Sequence, residues 1–256
     1  MNIAQAHSTL RILMVGAEMA PWAKVGGLGD VLGALPSALE KEGAQVVVCL
    51  PFYSRLKEHI KDSKPLHRRP FWMHWGGMQS FQYWLRQARH PGGFELLLVD
   101  CPALYDRPGI YHSPGSHEEY SDNLLRWTTL CHAALTGSYL LGGEWDVVHA
   151  HDMHAALTLP LMRERHSMSP LANAVGVLSI HNLAYQGNYP LSALKQIGLQ
   201  SADVRPFGPY EFYGRFNCLK AGIEFADGIH TVSPTYANEI ISNEEIGFGL
   251  RGVLWG

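Results

Sequence analysis

Six short stretches of the chain have the apolar, β-branched composition of strands, and amphipathic stretches separate several of them. They are residues 10–16, 44–50, 94–100, 146–150, 174–180 and 228–233. Several are apolar at successive positions instead of alternate ones, which is typical of strands covered on both faces of a parallel sheet. We therefore expect these stretches to form the core of a mostly parallel sheet.

Two of the intervening stretches have helical spacing. Their apolar positions are Val31, Leu32, Leu35, Ala38 and Leu39 in the first, and Leu124, Trp127, Cys131, Ala134 and Leu135 in the second, which follows a possible N-cap at Asp122. Alternating strands and helices predict right-handed βαβ units. The expected fold class is α/β, with a doubly wound, mostly parallel sheet. Residues 71–73 and 79–85 predict a small inserted β-hairpin.

Composition narrows the class of protein. The 256 residues are 46% apolar and 17% charged, with a formal net charge of −3, and they contain neither a basic stripe nor an acidic tail. We expect no nucleic-acid partner and, since no apolar run approaches the ~20 residues that cross a bilayer, no membrane segment. Four widely spaced cysteines predict reduced core residues. With no secretory signal pattern at the start, we expect a cytoplasmic protein.

The loop after the first predicted strand has the composition of a ligand cradle. It contains Lys24, Gly26, Gly27 and Gly29, followed by Asp30. Glycines let backbone amides approach an anion, and the N-terminus of a following helix favours negative charge. The spacing matches neither of the common nucleotide-binding fingerprints. A phosphate cradle and a simple tight turn with an exposed lysine are therefore both open on local chemistry.

Polar side chains crowd the end of the fourth predicted strand, at His149, His151, Asp152 and His154. Histidine and aspartate at short spacing can bind zinc. A second interpretation is a pocket in which Asp152 and His154 hold a hydroxylated ligand. A third makes His149 a core residue and Asp152 a simple N-cap. We favour the core role for His149 and the pocket for Asp152 with His154.

The fifth and third predicted strands also end in polar residues. His181 and Asn182 follow the fifth strand, at the same expected edge as Asp152, and Tyr185 and Tyr189 nearby would suit stacking on sugar rings. Ordinary loop hydrogen bonding is the alternative for Asn182. Tyr105, after the third strand, could line the cleft or belong to a turn.

Six segments taken in order point to a family. They are KVGGLGDV at 24–31, LYDRPG at 104–109, HAHDMHAAL at 149–157, HNLAYQG at 181–187, LKAGIEFAD at 219–227 and VSPTYANEI at 232–240. Together they resemble the ADP-glucose-dependent glucan synthases, the bacterial glycogen synthases and plant starch synthases of glycosyltransferase family 5. That resemblance implies the N-terminal, Rossmann-like domain of a GT-B fold.

The resemblance implies a retaining transfer of glucose from ADP-glucose to the nonreducing end of an α-1,4-glucan, without a cofactor or a metal. Asp152 and His181 match positions near the transferred glucose and are the candidate catalytic residues. The candidate substrate-binding residues are Lys24, Gly26, Gly27, Asp30, Tyr105, His154 and Asn182. Lys24 and the amides of the glycine pair are expected on the phosphates, and Tyr105 is expected to face the donor site. Met153 stands where related enzymes often carry tryptophan.

Family members are considerably longer, because a second Rossmann-like domain closes the cleft. We therefore expect residues 1–256 to be a single N-terminal catalytic domain, with its core at about residues 10–242. The C-terminal GT-B domain is expected to be absent and the isolated chain inactive, with that domain as its missing partner. Two alternatives stay open. One is a non-catalytic glucan- or nucleotide-binding half-domain, and the other is a metal-dependent hydrolase using the histidine cluster at 149–154.

Overall fold

The computed structural model describes residues 9–75, 79–165, 169, 171 and 173–255. In spatial order, the strands of the main sheet are β12 (Gly228–Thr231), β8 (Val175–Ile180), β7 (Val147–His151), β1 (Arg11–Val15), β2 (Gln45–Pro51), β6 (Glu95–Asp100), β5 (Gln79–Arg89) and β3 (Lys64–Pro65), with β4 (Phe71–Trp75) paired to β5. Neighbours from β12 to β6 are parallel, and the pairs made by β5 are antiparallel.

The predicted fold class is confirmed, as are the six core strands, which are the six parallel ones. Their apolar sequences follow from burial on both faces: β2, for example, is buried at every position after Gln45. The predicted hairpin is also confirmed as β4 and β5, although its connection at residues 76–78 lies outside the described residues. β5 extends to Arg89 and joins the hairpin to the main sheet through β6.

The order of the strands creates a switch point beside β1. The chain runs from β1 to β2 and β6 on one side, and then returns to β7, β8 and β12 on the other. Ligands of open α/β sheets bind outside the carboxyl ends of the strands at such a point. The register pairs Val15 with Ala150, so the loop after β1 begins beside the end of β7.

The helices surround this sheet. They are α1 (Gly27–Lys41), α2 (Ser54–His59), α3 (Pro102–Tyr105), α4 (Asn123–Leu140), α5 (Asp152–Ala156), α6 (Thr158–Arg165), α7 (Cys218–Phe225), α8 (Pro234–Ser242), α9 (Glu244–Gly247) and α10 (Arg251–Leu254), with 3-10 turns at Leu191–Ile197 and Ser201–Asp203. α1 packs on β2, while α4 packs on β1, β2 and β6. Among the described helices, none combines the length and apolar character needed to cross a bilayer.

Tertiary contacts change two local expectations. Asp122 precedes α4 as expected, but its carboxylate accepts hydrogen bonds from the Arg107 guanidinium (2.7 Å to Nη1) instead of capping the helix. A small antiparallel sheet of β10 (Glu211–Phe212), β11 (Arg215–Asn217) and β9 (Asn188–Tyr189) was not predicted, since its strands are too short to show a pattern. The four cysteines are free and buried, as predicted.

Candidate active site

The loop between β1 and α1 is fixed by one buried carboxylate. Glu18 Oε2 accepts the backbone N–H groups of Val25 (2.6 Å) and Gly26 (2.8 Å), and the Tyr111 hydroxyl donates to Oε1. Glu18 is only 3% exposed, so these bonds replace its lost hydration. The loop is therefore preformed around an internal anion.

This arrangement corrects the expected role of one glycine amide. The N–H of Gly26 is taken by Glu18 and is not available to a phosphate. In the described part of the chain, the N–H groups of Gly27 and Leu28, in the first turn of α1, have no acceptor. The free donors of the cradle therefore begin one residue later than the sequence suggested.

The glycines of this segment differ in the space that a Cβ atom would have. A Cβ at Gly29 would lie 2.9 Å from Lys24 Cγ and 3.2 Å from Glu18 Oε2, so close packing requires the missing side chain. A Cβ at Gly26 or Gly27 would meet nothing within 4 Å. The backbone at Gly26 and Gly27 therefore faces open space, where a ligand can approach.

Lys24 lies at the exposed side of this loop and forms an ion pair with Asp30. The distance from Lys24 Nζ to Asp30 Oδ1 is 2.7 Å, and the two side chains are 43% and 60% exposed. Asp30 holds the ammonium group at the first turn of α1. An incoming anion would compete with this carboxylate for Lys24.

Asp152 joins the ends of two neighbouring strands. It is the first residue of α5 and has a left-handed backbone conformation (φ 56°), while the N-cap position belongs to His151. Its Oδ1 accepts the backbone N–H of His181 at 2.7 Å, across from β7 to the end of β8. The simple N-cap interpretation of Asp152 is therefore wrong. Burial raises the pKa of its carboxyl to about 7, and the charge of Glu18 contributes to the rise.

A line of histidines crosses the sheet behind Asp152. His151 Nδ1 lies 3.1 Å from His181 Nε2, and His149 Nε2 lies 2.8 Å from the Ser179 hydroxyl, which also contacts His230 Nδ1 at 3.2 Å. Burial lowers the pKa of His149 to about 4 and that of His151 well below its usual range. The His149 and His151 rings are therefore neutral hydrogen-bonding groups near pH 7.

The histidines do not converge on a common point. Among the residues that the structure describes, no group of three or more His, Cys, Asp or Glu side chains is arranged to hold a metal ion. The hydrolase hypothesis therefore gains no support from the geometry. His149 lies on β7 as expected, but it is only half-buried and its ring contacts the Ser179 hydroxyl.

Two predicted contact residues lie deeper than expected. The His154 ring is 7% exposed and lies between Tyr111 and Trp127, with ring centroids 4.8 and 4.9 Å away, and burial lowers its pKa to about 3. Tyr105 is fully buried, and its hydroxyl donates to the backbone carbonyl of Arg126 at 2.7 Å. Tyr105 thus packs behind the cleft and does not face it, because its hydroxyl is satisfied inside the core.

The loop after β8 gives mixed outcomes. Asn182 is exposed, and its Oδ1 accepts the N–H of Ala184 at 3.0 Å, so it makes the loop hydrogen bond of the alternative interpretation. Tyr185 is 61% exposed, but Tyr189 is mostly buried, and burial raises the pKa of its phenol well above the usual range. Of the two tyrosines proposed for sugar stacking, only Tyr185 presents its ring to solvent.

Sequence reasoning missed Glu18 and Tyr111. The available signal was a single acidic residue in the otherwise apolar stretch directly after β1. A carboxylate at that place is costly to bury unless it has partners. Its partner Tyr111 is 93 positions away in sequence, so no local pattern identifies the pair.

Comparisons with known proteins agree with this architecture. The family model for the starch synthase catalytic domain matches residues 11–256. A glycogen synthase of Ralstonia nicotianae is 40% identical over 251 residues, covering 96% of this chain and 43% of the relative. A glycogen synthase of Yersinia pestis is 39% identical over 247 residues, covering 96% and 49%.

A solved structure is also similar. It is the catalytic domain of starch synthase IV from Arabidopsis thaliana bound to ADP and acarbose, with a TM-score of 0.80 and 29% identity over 96% of this chain and 49% of that one. This chain spans about half the length of the curated relatives it matches. Since the family model covers almost the whole chain, the chain belongs to the starch synthase catalytic domain family.

Proposed function

We propose that this chain forms one wall of the active site of a retaining glucosyltransferase, which moves glucose from ADP-glucose to the nonreducing end of an α-1,4-glucan. The observation that carries the proposal is the switch-point edge of the sheet. There, a preformed glycine loop with Lys24 adjoins the Asp152–His181 pair, in a chain of the starch synthase family. The similar Arabidopsis structure holds ADP and acarbose, a nucleotide and an oligosaccharide-like ligand.

The loop after β1 is suited to the phosphates of the donor. Lys24 offers a mobile positive charge, the N–H groups of Gly27 and Leu28 are free, and the N-terminus of the 15-residue α1 adds its dipole. Preorganised donors of this kind stabilise charge that develops on a leaving group. Asp30 positions Lys24 until the donor binds.

The Asp152–His181 pair is suited to the sugar. Burial has raised the pKa of Asp152 to about 7, so both its neutral and its ionised form are accessible near neutral pH. A positive charge developing on the glucose ring would favour the ionised carboxylate and be stabilised by it. His181 is half-buried, and we propose that its neutral ring hydrogen-bonds a glucose hydroxyl.

Further features belong to the same proposal. The transfer needs no cofactor or metal, and a second GT-B domain completes the cleft as the partner of residues 1–256. We propose a cytoplasmic location, which is supported by the four free, buried cysteines typical of a reducing compartment.

The test joins this chain to the part of the Ralstonia nicotianae relative that it does not span. Incorporation of labelled glucose from ADP-glucose into glycogen is then measured. We expect the joined protein to transfer glucose. Lys24→Ala should lower kcat/KM about 100-fold, because it removes a positive charge that stabilises the leaving diphosphate. Lys64→Ala is the matched control, since Lys64 is an exposed lysine on β3 at the far edge of the sheet.

The outcomes separate the parts of the proposal. Undiminished transfer by Lys24→Ala would contradict the role of Lys24. A folded joined protein that transfers no glucose would contradict the proposed activity itself.

A further inference from the structure

The ring of His181 is in contact with a buried neighbour, His151. His151 is the last residue of β7, and His181 directly follows β8, the parallel strand beside it. His151 Nδ1 lies 3.1 Å from His181 Nε2, and the two ring planes are 24° from parallel. The end of β7 therefore holds His181 twice, since His151 contacts its ring and Asp152 accepts its backbone N–H.

The contact between the two ring nitrogens requires one hydrogen between them. A neutral imidazole carries its hydrogen on one nitrogen and a lone pair on the other. Burial lowers the pKa of His151 well below its usual range and also lowers the pKa of His181, so burial favours the neutral form of both rings. One ring must then donate and the other accept, and the hydrogen position in one ring decides that in the other.

The second nitrogen of His151 decides between the two arrangements. No part of His151 is exposed, and its Nε2 has no hydrogen-bond partner among the described residues. Among buried backbone groups, an N–H without an acceptor is rarer than a carbonyl without a donor. Applied to the ring, this preference leaves the lone pair on Nε2 of His151 and places the hydrogen on Nδ1, which donates to His181.

This arrangement fixes the hydrogen of His181 in turn. Because its Nε2 accepts from His151, the ring hydrogen of neutral His181 lies on Nδ1. Within the described part of the chain, Nδ1 of His181 makes no hydrogen bond and is not a buried atom. Its N–H group is therefore open to a ligand at the edge of the sheet.

We propose that His151 is a positioning residue that holds His181 in the Nδ1–H form, so that His181 donates a hydrogen bond to a hydroxyl oxygen of the transferred glucose. The identity of this ligand rests on the proposed function, whereas the hydrogen position rests on the two rings alone. A hydroxyl oxygen accepts through its lone pairs and keeps its own hydrogen for another partner. His151 acts only through His181, because it is fully buried and cannot touch the sugar.

His151 also fixes this hydrogen before the ligand binds. Without a partner on Nε2, the ring of His181 could exchange between its two neutral forms, of which only one offers an N–H at Nδ1. A donor that is already in place needs no rearrangement when the sugar arrives. The buried ring therefore makes the exposed one a preorganised donor.

The first experiment measures the hydrogen positions in the chain itself. Two-bond proton–nitrogen spectra of the isotope-labelled chain at neutral pH distinguish protonated from unprotonated ring nitrogens. We expect a protonated Nδ1 and a bare Nε2 in both His151 and His181, with a scalar coupling between His151 Nδ1 and His181 Nε2. A hydrogen on Nε2 of His181, or the absence of the coupling, would overturn the proposal.

Two substitutions of His151 separate its hydrogen bond from its packing. His151→Phe keeps a flat ring and removes the donor, whereas His151→Asn is smaller but can place an N–H group at the position of Nδ1. His149→Phe is the matched control, because His149 lies two residues earlier on β7 and contacts the Ser179 hydroxyl. Thermal unfolding of each variant is recorded alongside.

We expect His151→Phe to lower the protonated fraction of His181 Nδ1, while His151→Asn and His149→Phe keep it. In the joined protein, His151→Phe should lower kcat/KM for ADP-glucose about tenfold, as loss of one well-placed hydrogen bond does. His151→Asn should recover most of this loss, although it removes more buried volume. Packing alone predicts the opposite order, so equal losses in the two variants, or a larger loss in His151→Asn, would contradict the positioning role.

The two experiments separate this inference from the proposed function. If the joined protein transfers glucose and His151→Phe transfers it equally well, the positioning role is wrong and the activity stands. If the spectra show the expected hydrogen positions but the joined protein transfers nothing, the proposed function is wrong and the hydrogen bond between the two rings stands.

Discussion

The loop after β1 and the joined ends of β7 and β8 lie at the same edge of the sheet, but their charged groups have different surroundings. Lys24 and Asp30 are exposed to solvent and pair with each other. Asp152 is 7% exposed, and burial shifts its pKa to about 7, while burial also lowers the pKa of His181. The ion pair of the first region is exposed to solvent, whereas burial in the second region favours the neutral forms of Asp152 and His181.

Under the proposed function, this difference would let one site serve two parts of the donor. A region meant for a diphosphate needs fixed positive charge and free amides, which an exposed loop at a helix N-terminus supplies. A region beside a sugar needs groups whose charge responds to the bound state, which burial supplies. Glu18 connects the two, since it fixes the loop and its charge raises the pKa of Asp152.

Asp152→Asn gives the largest expected difference between the regions. The folded chain keeps a proton on Asp152 up to about pH 7, whereas the unfolded chain releases it near pH 4, so this residue lowers stability as the pH rises between these values. Asparagine keeps an oxygen for the His181 N–H and tolerates the positive φ. In urea unfolding, the variant's gain over the unsubstituted chain should widen by on the order of 3 kcal/mol from pH 5 to pH 8.

The titration of the buried histidines does not alter this difference between the variant and the unsubstituted chain. His149 and His154 are held neutral in the fold, so their contribution to stability is lost as the pH falls below about 6.5, in both proteins alike. A gain for Asp152→Asn that stays constant with pH would contradict the buried, proton-retaining carboxyl.

Glu18→Gln should have the next largest effect. The amide oxygen can still accept the two backbone N–H groups, but the bonds lose the charge of the carboxylate and an NH2 group replaces the oxygen that accepts from the Tyr111 hydroxyl. The free energy of unfolding should therefore fall by about 2–3 kcal/mol. Tyr111→Phe, which removes only one of these bonds, should cost about 1.5 kcal/mol. Equal losses in denaturant titrations would show that Glu18 does not organise the loop.

Gly29→Ala and Gly27→Ala compare the packed and open glycines of the loop. A methyl group at Gly29 crowds Lys24 and Glu18, which should cost about 1 kcal/mol. At Gly27, in the first turn of α1, it meets nothing and should stabilise the chain by about 0.5 kcal/mol. Thermal unfolding distinguishes them, and a destabilised Gly27→Ala would contradict the open surface.

Lys24→Ala should have the smallest effect on stability. An ion pair with side chains 43% and 60% exposed contributes little, so the free energy of unfolding should change by less than about 0.5 kcal/mol. A loss above about 1 kcal/mol would show that Lys24 supports the fold itself. Lys24→Arg, which keeps the charge, serves as the control.

Much of the framework could be predicted because its signals are local. The six parallel strands follow from their apolar runs, and a helix, α1, forms where the spacing predicted one. Of its predicted apolar face Leu32 is buried, whereas Ala38 is exposed. The N-cap of α8 is equally local, since the Ser233 hydroxyl accepts the N–H of Tyr236 at 3.0 Å. Each of these features depends on neighbours a few residues away.

The site was predicted less completely. The sequence predicted that Lys24, Asp152 and His181 lie at one edge of the sheet, and the structure joins Asp152 to His181 by a hydrogen bond. It also places Tyr105 inside the core and gives the Gly26 amide to Glu18. These outcomes depend on which group hydrogen-bonds each polar atom in the folded chain. The spacing of residues in the sequence does not specify those partners.

By itself, the sequence determined the fold class, the family and the loop that carries Lys24, since apolar periodicity and glycine spacing act over a few residues. Only the tertiary structure decided the burial of Asp152, the partners of Glu18 and the exposure of Tyr185. Burial sets a pKa, and exposure makes a ring available to a ligand. Both arise from segments that are far apart in the chain and meet only after it folds.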